Sequence, residues 1–322
     1  MAETRRRVLG ALAGLSAMTL AGPAKSGEES LMITLGTATP GGGFPLYGAA
    51  LIDALREVDP GLTITPRNTK GSTENLPLLE AKALDIALVQ GEVAYEALFG
   101  IGRPASPARI LWAMYGTAGM FAVRADSPCH GIGDLRGKPV AFGARGSGLV
   151  ILARYVLDGI GLDQNRDFAA IYLDHAGDGP PMVLDGRAAA LWGGGIGWPG
   201  FTKLAESPGG ARFIAPGADE AAAIRAKHPF LKPLTLPAGS YPGQSEPIQS
   251  VGSWSFILAR PGLGDEVAWR LARDLHQAEP ALAHRLAQAR ETTAANTAAA
   301  APRPDLLHPA VARYLRETGF LP

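Results

Sequence analysis

The sequence has 322 residues, of which 47% are hydrophobic and 19% are charged. This length is enough for two hydrophobic cores, and the composition excludes an intrinsically disordered chain. Lysine plus arginine and aspartate plus glutamate each total 30, so no basic surplus is available to neutralise a phosphate backbone, and we expect no nucleic-acid partner. The single cysteine, Cys129, excludes a disulfide framework and a cysteine-rich metal site.

The first 24 residues show the order of regions that is typical of an export signal. Arginines at positions 5, 6 and 7 precede an uncharged run at 8–22, and small residues follow up to Ala24. The run is shorter than the roughly 20 residues that a membrane-spanning helix needs, so we expect cleavage after Ala24. The arginines at 5 and 6, followed by Val8 and Leu9, resemble the twin-arginine export motif, and an ordinary secretory signal is the alternative.

The predicted cleavage changes the charge of the protein. It would remove three arginines and one glutamate, which leaves a net formal charge of −2. Residues 25–322 contain no second long apolar run. The sequence therefore predicts a slightly acidic periplasmic protein that does not span the membrane after the signal is removed.

The first predicted lobe covers residues 31–122 and alternates strands with helices. Short apolar runs indicate the strands, and apolar residues at helical spacing indicate the helices between them, one of which opens with Ser72 as its N-cap. This alternation is typical of an α/β lobe with a mainly parallel sheet. The predicted strands are 31–36, 62–67, 85–90, 110–115 and 119–124, and the predicted helices are 46–58 and 71–83.

The pattern restarts in a second predicted lobe, residues 123–247, and residues 248–322 are predicted to return to the first lobe. An apolar alternation after a Pro/Gly-rich link indicates the returning strand, and helices follow it to the end of the chain. We therefore predict an α/β protein of two lobes. The remaining predicted strands are 138–143, 169–173, 188–192 and 251–259, and the remaining predicted helices are 149–159, 181–185, 266–276, 281–289 and 308–318.

Glycine-rich turns between strands and helices are the most suggestive feature of the sequence. They occur at 37–43 and 143–148, and a third opening at 70–73 adds a lysine and two hydroxyls. Such a turn presents backbone N–H groups at the positive end of a helix dipole, which favours an anion. The alternative is that the glycines serve only tight turning.

Catalytic and cofactor motifs are weak or missing, so we predict no catalytic residue, metal or cofactor. The glycines at 195, 197 and 200 match a dinucleotide-binding pattern, but Pro199 lies inside that turn and the pattern comes late in the chain. A nucleophile elbow would need glycine two residues before Ser147, where Arg145 stands. The six histidines are scattered, without metal-ligand spacing.

Four segments of the mature chain resemble the TAXI class of extracytoplasmic solute-binding proteins, which serve tripartite ATP-independent periplasmic (TRAP) transporters. The resemblance implies a two-lobed periplasmic binding-protein fold of type II-like form, with hinge-connected lobes and a ligand cleft between them. It also implies a small organic acid as ligand, such as glutamate or a dicarboxylate, and a TRAP membrane subunit as partner. The segments are GTATPGGGFPLYGAAL at 36–51, NTKGSTENLPLLEAKALDIALVQGEVAYEAL at 68–98, LRGKPVAFGARGSG at 135–148 and YPGQSEPIQSVG at 241–252.

The resemblance and the turns together give a set of predicted ligand-binding residues. Backbone N–H groups and hydroxyls are expected to hold carboxylate oxygens, Arg145 to add a bidentate contact, and Gln90 to bind the polar middle of the ligand. In this family the first turn often carries a Tyr-Tyr pair, which Phe44 and Pro45 replace here. The predicted residues are Thr39, Gly42, Gly43, Phe44, Ser72, Thr73, Asn75, Gln90, Arg145, Gly146, Ser147, Trp192 and Trp198.

Two other functions are compatible with the sequence. An exported α/β enzyme, either a hydrolase or a dinucleotide-dependent oxidoreductase, could use the same cleft. A binding protein of the same fold could also feed a sensor kinase instead of a transporter. The sequence favours solute capture without turnover.

Overall fold

A computed structural model describes residues 30–322, and the predicted export segment at 1–24 lies outside these residues. The strands are β1 (Leu31–Gly36), β2 (Leu62–Arg67), β3 (Ile86–Val89), β4 (Arg109–Arg124), β5 (Pro139–Ala144), β6 (Ala169–Leu173), β7 (Ala190–Gly194), β8 (Ala211–Ile214), β9 (Lys232–Leu236) and β10 (Ile248–Ala259). The helices are α1 (Gly43–Val58), α2 (Ser72–Glu80), α3 (Gly91–Phe99), α4 (Gly148–Gly159), α5 (Gly179–Leu184), α6 (Pro199–Ala205), α7 (Ala218–Lys227), α8 (Asp265–Arg285), α9 (Ala294–Ala300) and α10 (Pro309–Glu317).

The strands form one continuous ladder in the order β2-β1-β3-β10-β4-β7-β5-β6, while β8 pairs with β4 and β9 pairs with β10. The pairs of β1 with β2 and β3 are parallel, as are those of β5 with β6 and β7. The long strands β4 and β10 run antiparallel to their neighbours. All four residues of β3 are buried, as expected for a parallel strand covered on both faces.

Two hydrophobic cores lie along this ladder. The first core contains buried residues from 33–115 and 256–315, and the second core contains buried residues from 118–251. The chain therefore crosses between the cores twice, within β4 and within β10. The lobe boundaries predicted after residues 122 and 247 stay a prediction. None of the helices within residues 30–322 is long and apolar enough to cross a membrane.

Several predicted elements differ from the structure. The two strands predicted at 110–115 and 119–124 are one strand, β4, because burial continues through both cores. The helices predicted at 266–276 and 281–289 are largely one helix, α8, which continues past Pro280 because Ala278 and Leu282, on either side of that proline, are both buried in the first core. Helices α3, α6, α7 and α9 and strands β8 and β9 were not predicted.

Candidate functional site

A cavity of about 50 Å³ lies between the two cores and is lined by residues from both. Six of the predicted ligand-binding residues line it from the first core: Thr39, Gly42, Gly43, Phe44, Ser72 and Gln90. From the second core, Ser147 and Trp198 line it. The structure thus brings together eight predicted residues that lie far apart in the sequence.

The N-terminal turns of four helices converge on this cavity. Gly43 and Phe44 belong to the first turn of α1, Ser72 opens α2, Gln90 is the N-cap of α3, and Gly148 opens α4. Each of these helices has at least nine residues, so the positive end of each helix dipole lies at the turn that lines the cavity.

The charged groups in the lining are few. The lining contains no aspartate or glutamate, and its one cation is the exposed Lys70. The hydroxyl oxygens of Ser72 and Ser147 accept hydrogen bonds from the backbone N–H groups of Gln90 and Leu149. Their hydroxyl protons therefore point away from these two groups and can be donated to another acceptor. The cavity is therefore rich in hydrogen-bond donors and suits an acceptor-rich, negatively charged molecule.

The first glycine-rich turn comes close to the second core. The Ala176 amide donates to the Thr39 hydroxyl over 3.2 Å, and a Cβ atom at Gly41 would lie 2.7 Å from the Gly177 backbone. Gly41 has a φ of 79°, in the region that favours glycine. A side chain at this position would prevent the approach, so the glycine serves the contact between the cores.

Thr73 and Gly146 do not line the cavity, although both were predicted to bind ligand. The Thr73 backbone N–H and its hydroxyl both donate to the Gly146 carbonyl, over 3.2 and 3.1 Å. The two residues therefore hold the cores together at the edge of the cavity. A Cβ atom at Gly71 would lie 2.7 Å from the same carbonyl, which leaves room for glycine alone.

Asn75, Trp192 and Arg145 were also predicted to bind ligand, and none of them lines the cavity. The Asn75 amide is fully buried and donates to two backbone carbonyls over 2.7 and 2.8 Å. The Trp192 indole is fully buried and donates to the Leu149 carbonyl over 2.8 Å, so it supports the start of α4. Arg145 is exposed, with its guanidinium 5.7 Å from the centre of the Tyr172 ring.

Several lining residues carry no local sequence signal and were not predicted. Tyr115 and Thr117 come from β4 where it crosses between the cores, and Gln288 comes from a 3-10 turn, Ala287–Glu291, near the end of the chain. Their positions depend on long-range packing, and no local pattern marks them. Gly143, at the end of β5, belongs to a glycine-rich turn that was predicted to bind an anion.

A buried carboxyl group follows the lining residue Gln90 by two positions. Glu92, in the first turn of α3, is fully buried and accepts a hydrogen bond of 2.6 Å from the Ser253 hydroxyl of β10. Burial raises its pKa to about 7, against weaker opposing effects from Ser253 and from the neighbouring Gln90 side chain. Glu92 is not part of the lining, so the negative charge it acquires on ionisation lies outside the cavity wall.

Among residues 30–322, no cluster of three or more histidine, cysteine, aspartate or glutamate side chains is arranged to hold a metal ion. Cys129 is buried, with its thiol 3.7 Å from the Asp134 carbonyl.

Three solved structures share this fold, and two of them are periplasmic proteins. A periplasmic transporter superimposes with a TM-score of 0.54 and 15% identity, covering 80% of this chain and 87% of that one. The periplasmic binding protein BugD gives a TM-score of 0.54 and 13% identity over 80% and 86% of the two chains. A protein from Bordetella bronchiseptica RB50 gives 0.54 and 15% over 89% and 98%.

These similarities confirm the predicted α/β fold of periplasmic binding proteins. The identities are low, so they establish the fold alone. A family model gives the more specific assignment, because it matches residues 35–319, which span both cores and every lining residue of the cavity. The chain therefore belongs to the NMT1-like family.

Proposed function

We propose that this protein is an extracytoplasmic solute-binding protein that captures a small organic acid between its two cores and delivers it to a membrane transporter of the TRAP type. The observation that supports this most strongly is the convergence of four helix N-termini on a cavity whose lining contains no carboxylate. The similar structures described as periplasmic transport and binding proteins agree with it.

The eight predicted residues that line the cavity are the proposed ligand contacts. Backbone N–H groups of α1 and α4 would hold one carboxylate, and the hydroxyls of Ser72 and Ser147 would donate to it. Phe44 and Trp198 would form the apolar walls. Because Arg145 lies outside the lining, the helix dipoles and Lys70 would balance the negative charge of the ligand in place of a bidentate arginine.

Ligand capture would proceed by closure of the two cores on the acid. Contacts between the cores surround the cavity, at Gly146 with Thr73 and at Thr39 with Ala176. Further out, Glu96 of α3 accepts from the Tyr155 hydroxyl of α4 over 2.8 Å, and Tyr95 stacks on Phe230 with ring centres 4.1 Å apart. The two strands that cross between the cores, β4 and β10, would bend as the hinge.

The proposal is tested by isothermal titration of the mature chain against a panel of small organic acids, with amines and neutral sugars as controls. We expect saturable binding of at least one acid and no chemical conversion of it. Tyr115→Phe, which removes a hydroxyl from the lining, should weaken binding several-fold, whereas Tyr95→Phe, outside the lining, should not. Binding of no acid, or turnover of one, would contradict the proposal.

The four segments that resemble the TAXI class support a transporter of the TRAP type. This part of the proposal is tested genetically, because the binding protein must be made together with its membrane partner. We expect genes for TRAP membrane subunits next to this one, and loss of uptake of the bound acid when they are deleted. A neighbouring sensor kinase in their place would favour signalling over transport.

A further inference from the structure

The side chain of Gln288 is buried against the cavity without a hydrogen-bond partner for its amide nitrogen. The residue is 3% exposed and lines the cavity, and its Nε2 has no partner among the described residues. A buried amide that cannot donate is costly, and native proteins seldom leave one unpaired. The position therefore calls for an acceptor that the protein itself does not provide.

The turn that carries Gln288 is attached to the strand that crosses between the cores. Glu291, on the same turn, accepts a hydrogen bond of 2.7 Å from the Gly116 amide of β4. Thr292, the next residue, donates to the Met114 carbonyl over 2.7 Å. The pairing of β4 with β10 is interrupted near Gly116 by a shift of register, so side chains of the C-terminal segment bind the strand where the ladder is irregular.

Gln90 presents a second buried amide to the same cavity. It is 4% exposed and lines the cavity from the start of α3, and its side chain also lies beside the buried Glu92 carboxyl. Two buried amides from distant parts of the chain thus meet one cavity, and that of Gln288 is the one without a neighbouring carboxyl in the described contacts. Gln164 is a useful contrast, because it is buried with an unpaired amide oxygen but does not line this cavity.

We propose that Gln288 contacts the bound ligand, donating from its side-chain amide to an oxygen acceptor, and that this contact secures the turn Ala287–Glu291 against β4. The inference rests on the proposed function and deepens it. The ligand would carry an acceptor oxygen in addition to the carboxylate held at the helix N-termini. An acid with an apolar group at that place would leave the amide unpaired and would bind more weakly.

Pentanoate and its 2-oxo and 4-oxo derivatives test this requirement, because they share one charge and one chain length and differ by an acceptor oxygen. We expect wild-type protein to bind at least one oxo acid about tenfold more tightly than pentanoate in isothermal titration. Gln288→Leu should abolish that advantage and bind pentanoate at least as tightly as wild type does. Gln164→Leu, the matched control, should keep the wild-type preference.

The outcomes separate this inference from the proposed function. If wild type binds none of the acids in the wider panel, both are overturned. If wild type binds acids and Gln288→Leu weakens the binding of all of them equally, Gln288 has a structural role. If Gln288→Leu changes the binding of none of them, water satisfies the Gln288 amide. In both cases this inference fails and the proposed function stands. Gln288→Glu is a second variant that distinguishes a lost contact from a folding defect. We expect it to have the melting temperature of wild type and yet to lose acid binding, because the new carboxylate repels the acid.

Hydrogen exchange of the Gly116 amide provides a second readout that a purely structural role would not change. The amide donates to Glu291, so securing the turn should slow its exchange. We expect a saturating oxo acid to slow exchange at Gly116 several-fold in wild type and to have no such effect in Gln288→Leu. Equal slowing in both proteins would overturn the link between the ligand and the turn.

Discussion

Replacing Glu92 with glutamine should stabilise the protein at high pH and have little effect at low pH. Glu92 is fully buried at the start of α3, where Ser253 donates to one carboxylate oxygen over 2.6 Å. The other oxygen has no hydrogen-bond partner among the described residues. Ionisation of this group therefore places a negative charge in a site that compensates it only in part.

The size of the effect follows from the shift in pKa. Burial raises the pKa of Glu92 from 4.5 to about 7, so the folded protein binds more protons than the unfolded chain between these values. The contribution of Glu92 to stability is therefore fully present below pH 4.5 and is lost as the pH rises towards 7. At 1.36 kcal/mol per unit, the glutamine variant should gain about 3 kcal/mol over wild type at pH 8 and less than about 1 kcal/mol at pH 5.

Urea unfolding of the ligand-free mature chain at pH 5 and pH 8 measures this gain. Glu80→Gln is the matched control: burial acts to raise the Glu80 pKa, but hydrogen bonds from Arg103 and Ser106 outweigh it and hold the pKa below its ordinary value. The Glu80 carboxyl is thus ionised at both pH values, and its variant should differ from wild type equally at both. A Glu92→Gln effect that is the same at pH 5 and pH 8 would refute the reasoning.

Three further outcomes are expected. Gly148→Ala would place a Cβ atom in overlap with that of Gln90 across the cavity edge, so acid binding should weaken at least tenfold in titration, while Gly133→Ala, which meets nothing within 4 Å, should bind normally. Leu88→Ala, at a fully buried position of β3, should lower the free energy of unfolding by about 2–5 kcal/mol in urea titration. Mass spectrometry of the exported protein should find a chain that begins directly after Ala24, and a retained N-terminus would contradict the predicted cleavage.

Local sequence patterns were sufficient to predict which strand-to-helix turns line the cavity. Gly42 and Gly43, Ser72 and Ser147 lie where a strand ends and a helix begins, and the carboxyl ends of parallel strands gather at one edge of a sheet. Trp192 was predicted as a ligand contact from its place at a strand end, and Asn75 from the segment that resembles the TAXI class. Neither pattern indicates that these side chains donate to nearby backbone carbonyls, as they do in the structure.

The sequence by itself determined the α/β class, the glycine-rich turns and the order of the main elements, because hydrophobic periodicity and turn residues act over a few positions. The tertiary structure decided which of those turns meet. It joined β4 into one strand through both cores, left the exposed Arg145 outside the cavity lining, and brought Gln288 to the same cavity as the predicted turns of the chain's first half. These outcomes depend on contacts between residues far apart in the sequence, whose energies no local pattern records.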